Sequence, residues 1–231
     1  MNLIGHRGVA GLELENTRTS FNRAVSLGLS DVELDIRMTK DGKLVACHDD
    51  NLERIAHRTE KIKDLSLRAL QKIELIDGSY IITLHDVLKI LKDTHAIIEM
   101  KDTGCGRSLM KVLAAFPNQH ISIASFRLQE LVLYRELNAS YDYYALEHTK
   151  PFDIIHLAKV LKLNGIGLNF WLLNPLTYFL SKRAGLKMYV YTLNNKVIAR
   201  LISILYPTVS ICTDHPEWFM ESEGTKETTS V

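Results

Sequence analysis

The sequence predicts an α/β fold, a TIM-type (β/α)8 barrel, on three observations. The chain has 231 residues, close to the roughly 250 of one such barrel. From residue 82 onward, short β-rich runs alternate with helical patterns. Acidic side chains stand at the ends of otherwise apolar strand segments, where a barrel of this kind places its chemistry. Strand–helix alternation with short links favours a parallel sheet buried on both faces, and its crossovers run right-handed.

In chain order, the first strand falls at 2–5, and the helical pattern at 18–27 follows Asn16-Thr17, a cap signal. Strand segments at 31–35 and 43–48 flank Asp41-Gly42, a strong turn signal. Residues 49–81 match neither a barrel strand nor a long amphipathic helix. They read as an insertion after the third strand segment, with a short helix near 66–73, on the face where loops build a site. A helix at 83–92 leads to the strand Ala96-Ile97-Ile98-Glu99-Met100, and further strands fall at 120–124, 141–145, 165–168, 187–191 and 209–213. Between them, 105–115, 127–137, 152–162, 174–184 and 195–205 carry apolar residues at helical spacing, as in Leu128, Leu131, Val132 and Tyr134, or Ile154, Ile155, Ala158 and Leu161. That makes nine strand candidates for eight barrel places, so one of 31–35 and 43–48 is an added hairpin strand. The polar residues 221–231 have no apolar period and are expected to be a disordered tail. No repeat or linker divides the chain, which reads as one domain over 1–231.

Hydrophobic residues make up 46% and charged residues 24%, an ordinary globular balance. With 28 basic against 27 acidic residues, the net charge of +1 creates no field for nucleic acid or an anionic membrane. Cys47, Cys105 and Cys212 are too few and too widely spaced for a disulfide framework, so a reducing compartment is the simpler reading. The first residues lack a charged stretch followed by an apolar run, and no segment approaches the ~20 apolar residues of a membrane span. A cytoplasmic protein without stable membrane insertion is expected.

Glu33 and Asp35 flank Leu34 in an apolar strand, and residues two apart in a strand share a face. Two buried like charges repel and are costly to desolvate. A divalent cation with oxygen ligands, Mg²⁺ or Ca²⁺, resolves both problems. Glu99 is a third acid at an apolar strand end, with Lys101 on the same side. Taken alone, Glu33-x-Asp35 reads better as a solvated strand edge and Glu99-x-Lys101 as a surface ion pair; their apolar flanks argue otherwise. His6 follows the first strand and His48 ends the third segment. Histidines take and give protons near neutral pH, and two of them beside an acidic cluster suit phosphodiester chemistry. Such a reaction also needs positive charge on the non-bridging oxygens, which Arg7 and Lys101 can supply. No role is assigned to the other seven histidines, at 57, 85, 95, 120, 148, 156 and 215.

The run His6-Arg7-Gly8, Glu15-Asn16-Thr17, Phe21, Ala24, Gly28, Glu33-x-Asp35, Thr39-Lys40-Asp41-Gly42, Val45-x-x-His48-Asp49 and Leu52-x-Arg54 resembles the signature of the glycerophosphodiester phosphodiesterase family. Ile98-Glu99-x-Lys101, Ser125-Phe126, Tyr191-Thr192-Leu193-Asn194 and Thr213-Asp214-x-Pro216 extend the likeness over nearly the whole chain. The resemblance implies a TIM-type barrel that hydrolyses a small glycerophosphodiester to sn-glycerol 3-phosphate and an alcohol. It implies a divalent metal at Glu33, Asp35 and Glu99, acid/base roles for His6 and His48, and phosphate contact by Arg7 and Lys101. It also implies a cyclic phosphate intermediate formed by the substrate's own glycerol hydroxyl, and a Glu15 that orients the arginine and adjoins the metal. Leu14 stands where the family usually has proline, which bears on loop stiffness, and Trp171 is a loose match to a tryptophan near the substrate. Two other readings are a phospholipase D-like or phosphatidylinositol-type phosphodiesterase on a similar barrel, and an inactive phosphate-binding module. The alcohol, the metal, the oligomeric state and the division of acid and base between the histidines stay open.

Overall fold

The structure, a computed structural model, describes residues 1–220; the tail expected at 221–231 lies outside the described residues. Eight parallel strands form a closed barrel: β1 (Leu3–Gly5), β2 (Asp31–Met38), β6 (His95–Met100), β7 (Ile121–Ser125), β8 (Asp142–Glu147), β9 (Gly165–Asn169), β10 (Lys187–Tyr191) and β11 (Val209–Thr213). Closure comes from β1, which pairs with β11 on one side and β2 on the other. The helices α1 (Arg18–Ser26), α4 (Leu84–Ile90), α5 (Gly106–Leu113), α6 (Leu128–Leu137), α7 (Pro151–Val160), α8 (Pro175–Arg183) and α9 (Lys196–Leu205) cover the outside.

The ambiguous pair of segments is resolved. Residues 31–38 are a barrel stave, and β3 (Leu44–Ala46) is the added strand, antiparallel to β2. Between them Gly42 takes a left-handed φ of 72° to close the turn. The insertion holds the hairpin β4 (Asn51–Leu52) and β5 (Arg58–Lys61), with α2 (Glu53–Ala56) between them. The helix expected near 66–73 is the single turn α3 (Leu67–Leu70), capped by Ser66. This insertion has its own small core, in which Leu52, Ile55, Ile62, Leu70 and Ile81 pack on Val45 and Cys47.

Side chains alternate across each stave, so outward residues such as Leu34, Ile98, Ile123 and Ile166 pack under the helices. Inward, Ile4, Ile97, Tyr144, Leu146, Tyr189 and Cys212 fill the barrel's middle. Tyr189 is large, and Gly167 makes room for it: a Cβ there would lie 2.6 Å from the Tyr189 ring. No helix among the described residues is long and apolar enough to cross a membrane.

Candidate active site

The turn after β1 begins the site. Arg7 adopts a left-handed φ of 51°, a conformation that disfavours a non-glycine residue. Three contacts hold it: its N–H donates to Glu33 Oε2 at 3.0 Å, and its carbonyl accepts from Ser20 Oγ at 2.9 Å and Asn16 N at 3.0 Å. Gly8 follows at φ 86°, where a Cβ would lie 2.3 Å from Ser20 Oγ. The turn therefore aims His6 and Arg7 over the C-terminal mouth of the barrel.

Glu33 and Asp35 both point inward from β2, as their spacing requires, and Glu99 on β6 is the register partner of Asp35. All three are buried, and a donor oxygen from each lies within 4.8 Å of the others. Lys101 Nζ stands 3.0 Å from Asp35 Oδ1 and also pairs with Glu99. Arg7 Nε stands 3.0 Å from Asp35 Oδ2. Asn16 clamps Asp35 from behind: its amide donates to Asp35 Oδ2 at 3.0 Å and its oxygen accepts from Asp35 N at 3.1 Å.

Electrostatics separate the three acids. Against the cost of burial, Lys101 and Arg7 hold Asp35 well below the usual carboxylate range. Burial and the Asp35 charge push Glu33 well above that range, and raise Glu99 as well. Two of the three carboxylates thus resist ionising together, the condition a cation relieves. Although Lys101 is close to Asp35 Oδ1, no donor among the described residues points at that oxygen with hydrogen-bond geometry. The donor set is all oxygen and buried, which fits a hard divalent cation. Cys212 approaches Glu33 and His6, but burial raises its thiol far enough to keep it neutral.

Each histidine is held by its own aspartate. His6 Nδ1 lies 2.6 Å from Asp214 Oδ1, leaving Nε2 on the side of Glu33, at 3.9 Å. Burial opposes a charge on His6, but Asp214 and Glu33 outweigh it and raise the imidazole pKa. His48 arrives because β3 runs back along β2: Cys47 N donates to Asp35 O at 3.0 Å, so the next residue lies beside the acids. Its Nδ1 is 2.6 Å from Asp49 Oδ1. Burial lowers the His48 pKa, helped by Lys101 and Arg7 and opposed by Asp35 and Asp49.

Asp49 Oδ2 accepts from Arg54 Nε at 2.7 Å, and Arg54 also grips Glu15 through Nη1 and Nη2 at 2.7 and 2.8 Å. Glu15 in turn accepts from Arg7 Nη1 at 2.9 Å. A continuous charged chain therefore runs His48–Asp49–Arg54–Glu15–Arg7–Asp35. Glu15 sits behind Arg7, outside the group of three carboxylates.

The cleft has a volume of about 380 Å³ and brings together His6, Arg7, Glu33, His48, Glu99 and Lys101. Its far wall is aromatic: Phe126 stacks on His148 at 4.3 Å, and Tyr191 meets their edges at 6.1 and 5.7 Å. His148, which had no role from sequence, thus lines the cleft. Trp171 is 75% exposed and does not line it, whereas Asn169 does. From the sequence, Asn16 reads only as part of a helix-cap signal and a motif, and Asp49, Arg54 and Asp214 only as motif members. The one local signal was the adjacency of Asp49 to His48, since Asp214 is 208 positions from its partner.

The model of a protein family described as the glycerophosphoryl diester phosphodiesterase family matches residues 6–218. A glycerophosphodiester phosphodiesterase of Caldanaerobacter subterraneus subsp. tengcongensis is 28% identical over 233 residues, covering 93% of this chain and 94% of that one. The crystal structure of a glycerophosphodiester phosphodiesterase from Thermotoga maritima superposes with a TM-score of 0.83 at 25% identity, covering 95% of this chain and 97% of that one. An Oleispira antarctica phosphodiesterase, solved in complex with the product sn-glycerol-3-phosphate, shares the fold with a TM-score of 0.88 at 22% identity, over 94% of each chain.

Proposed function

Because the chain belongs to the glycerophosphoryl diester phosphodiesterase family and is a phosphoric diester hydrolase, we propose that it cleaves small glycerophosphodiesters to sn-glycerol 3-phosphate and an alcohol. The observation that carries this reading is one cleft holding three buried carboxylates, two cationic side chains and two separately anchored histidines.

In this reading Glu33, Asp35 and Glu99 would hold Mg²⁺ or Ca²⁺, which would supply positive charge against the charge developing on the phosphate. Arg7 and Lys101 orient the non-bridging oxygens, with Glu15 keeping the guanidinium in place. The lowered His48 is neutral at working pH and takes the proton of the substrate's glycerol hydroxyl. That oxygen forms a bond to phosphorus as the bond to the alcohol breaks. The raised His6 carries a proton and gives it to the departing alcohol oxygen. The cyclic phosphate then opens in the reverse sense: neutral His6 accepts a proton from water, and charged His48 returns one to the glycerol oxygen. The buried free thiols of Cys47, Cys105 and Cys212 support a reducing, cytoplasmic setting.

The test is coupled detection of glycerol 3-phosphate released from glycerophosphocholine, with and without chelator. Chelation is expected to abolish release, and His6→Ala or His48→Ala to lower turnover by about 10²–10⁴ in a folded protein. No turnover of any glycerophosphodiester with any divalent metal would overturn the reading, and activity within about tenfold of wild type in both variants would remove the histidines from it.

A further inference from the structure

The opposite mouth of the barrel holds a second and larger cleft, of about 460 Å³. It opens among the first residues of the staves, Asp31 of β2, His95 of β6 and Lys187 of β10, at the end opposite the residues assigned to hydrolysis. In a barrel of this class that end is ordinarily closed packing that serves stability. A volume in this range instead matches a small-molecule site.

Two features of the lining point to a ligand. Ser181, on α8, is 1% exposed, and its hydroxyl has no hydrogen-bond partner among the described residues. Buried hydroxyls are nearly always paired; Thr177, one turn earlier on the same helix, donates to Leu172 O and Asn174 O and accepts from Asn174 N. Beside Ser181, Lys182 has no acidic partner among the described residues, and its ammonium stands 6.0 Å from the centre of the Tyr178 ring. The cleft's other charges are already satisfied. Lys187 is paired with Asp142 at 2.7 Å. Asp31 accepts from His95 at 2.7 Å and from Ser30 at 2.5 Å, and His95 reaches on to Ser122 at 2.8 Å. Lys182 is thus the one lysine of the lining without a carboxylate partner among the described residues, with a hydroxyl donor next to it in the chain. Deeper in, Ile97, Tyr144, Leu186, Met188 and Tyr189 present an apolar floor.

We infer that this lower cleft binds a small amphiphilic anion, its carboxylate or phosphate-monoester head held by Lys182 and Ser181 and its apolar stem laid against Ile97, Met188 and Tyr189. Tyr189 lines both clefts, so an occupant below touches the floor of the cleft above. The inference does not depend on diester hydrolysis.

The test is methyl NMR on the full chain, following Met188 and Ile97 during titration with octanoate, octyl phosphate, octanol and inorganic phosphate. Saturable shifts are expected with octanoate, octyl phosphate or both, and the tighter of the two identifies the head group. Octanol and inorganic phosphate, which each lack one half of the ligand, are expected to give none at the same concentrations. Lys182→Glu and Ser181→Ala should each weaken binding about tenfold or more, with glycerophosphodiester turnover unchanged. The inference is overturned if neither amphiphile gives a saturable shift, which would mean a cleft that takes only water. Equal affinity in both variants would overturn it, as would binding of octanol as tight as octanoate. So would displacement by sn-glycerol 3-phosphate, which would place the amphiphile in the upper cleft.

Discussion

Asp214→Asn is the substitution that most directly probes how His6 is held. Asp214 is three-quarters buried and offers Oδ1 to His6 at 2.6 Å and Oδ2 to the Asn194 amide at 2.5 Å. The Asn194 oxygen is already taken by Thr213 Oγ1 and Asp214 N, both at 3.0 Å, so Asn194 cannot turn over to suit a new partner. An asparagine at 214 then has two orientations, both unfavourable. With its oxygen toward His6, its NH₂ faces the Asn194 NH₂, and two donors oppose each other. With its NH₂ toward His6, Nδ1 must become an acceptor, which fixes the neutral tautomer and removes the proton His6 is proposed to give. Loss of charge assistance or of one buried hydrogen bond is worth about 1–3 kcal/mol. Taking about 2 kcal/mol, turnover should fall roughly thirtyfold. The assay is kcat and KM for glycerophosphocholine across pH, with thermal melting to confirm the fold. KM should move little, and the alkaline limb of the profile should shift to lower pH because the carboxylate that raised His6 is gone. A kcat within twofold of wild type, with a superimposable pH profile, would refute the positioning role.

The wild-type profile of kcat/KM should be bell-shaped: activity rises as pH climbs through the lowered pKa of His48 and falls as pH passes the raised pKa of His6. Loss of the alkaline limb in His48→Ala, with the acidic limb retained, would show the assignment to be reversed. Glu33→Ala should weaken Mg²⁺ or Ca²⁺ binding about tenfold or more by titration calorimetry, since it removes one of three converging oxygen donors; unchanged affinity would remove Glu33 from the ligand set. Gly167→Ala should lower stability by about 1–3 kcal/mol through overpacking against Tyr189 and Leu146, each 2.6 Å from the added Cβ. For a chain of this size that is a drop in Tm of about 3–10 °C, and an unchanged Tm would mean that the tyrosine ring has room to move.

The barrel was legible because its staves obey one simple rule, burial on both faces, which leaves long apolar runs in the sequence. The segments expected at 187–191 and 209–213 coincide with β10 and β11, and most others shift by one or two residues. The hairpin β4–β5 escaped notice for the opposite reason. Arg58-Thr59-Glu60-Lys61 is polar and largely exposed, so neither periodicity nor composition marks it as a strand. Its position comes from its neighbours Leu52, Ile55 and Ile62, which pack into the insertion's own core. The Glu33–Asp35 pair was legible from strand periodicity alone. Glu99 joins it only through the β2–β6 register, which a lone sequence does not state.

The two histidines show where residue type stops being informative. Both are followed or approached by an aspartate, and both Nδ1 atoms lie 2.6 Å from a carboxylate oxygen. By that measure they are equivalent, yet their pKa values move in opposite directions. Burial opposes a charge on both rings, so the difference lies in the charged groups that each ring and its aspartate face. Among the described residues the Asp214 carboxylate bonds, besides His6, only the neutral side-chain amide of Asn194, so its charge stays with the imidazole. Asp49 shares its charge with Arg54, and His48 faces Lys101 and Arg7 besides. A third influence is Glu33, which stands beside His6 and adds to its proton affinity. Environments that push two titratable groups apart in this way are how acid and base are told apart in a site. The insertion that brings Arg54 to Asp49 is part of the proposed catalytic design, because Arg54 Nε fixes one carboxylate oxygen of Asp49 while the other holds His48 Nδ1.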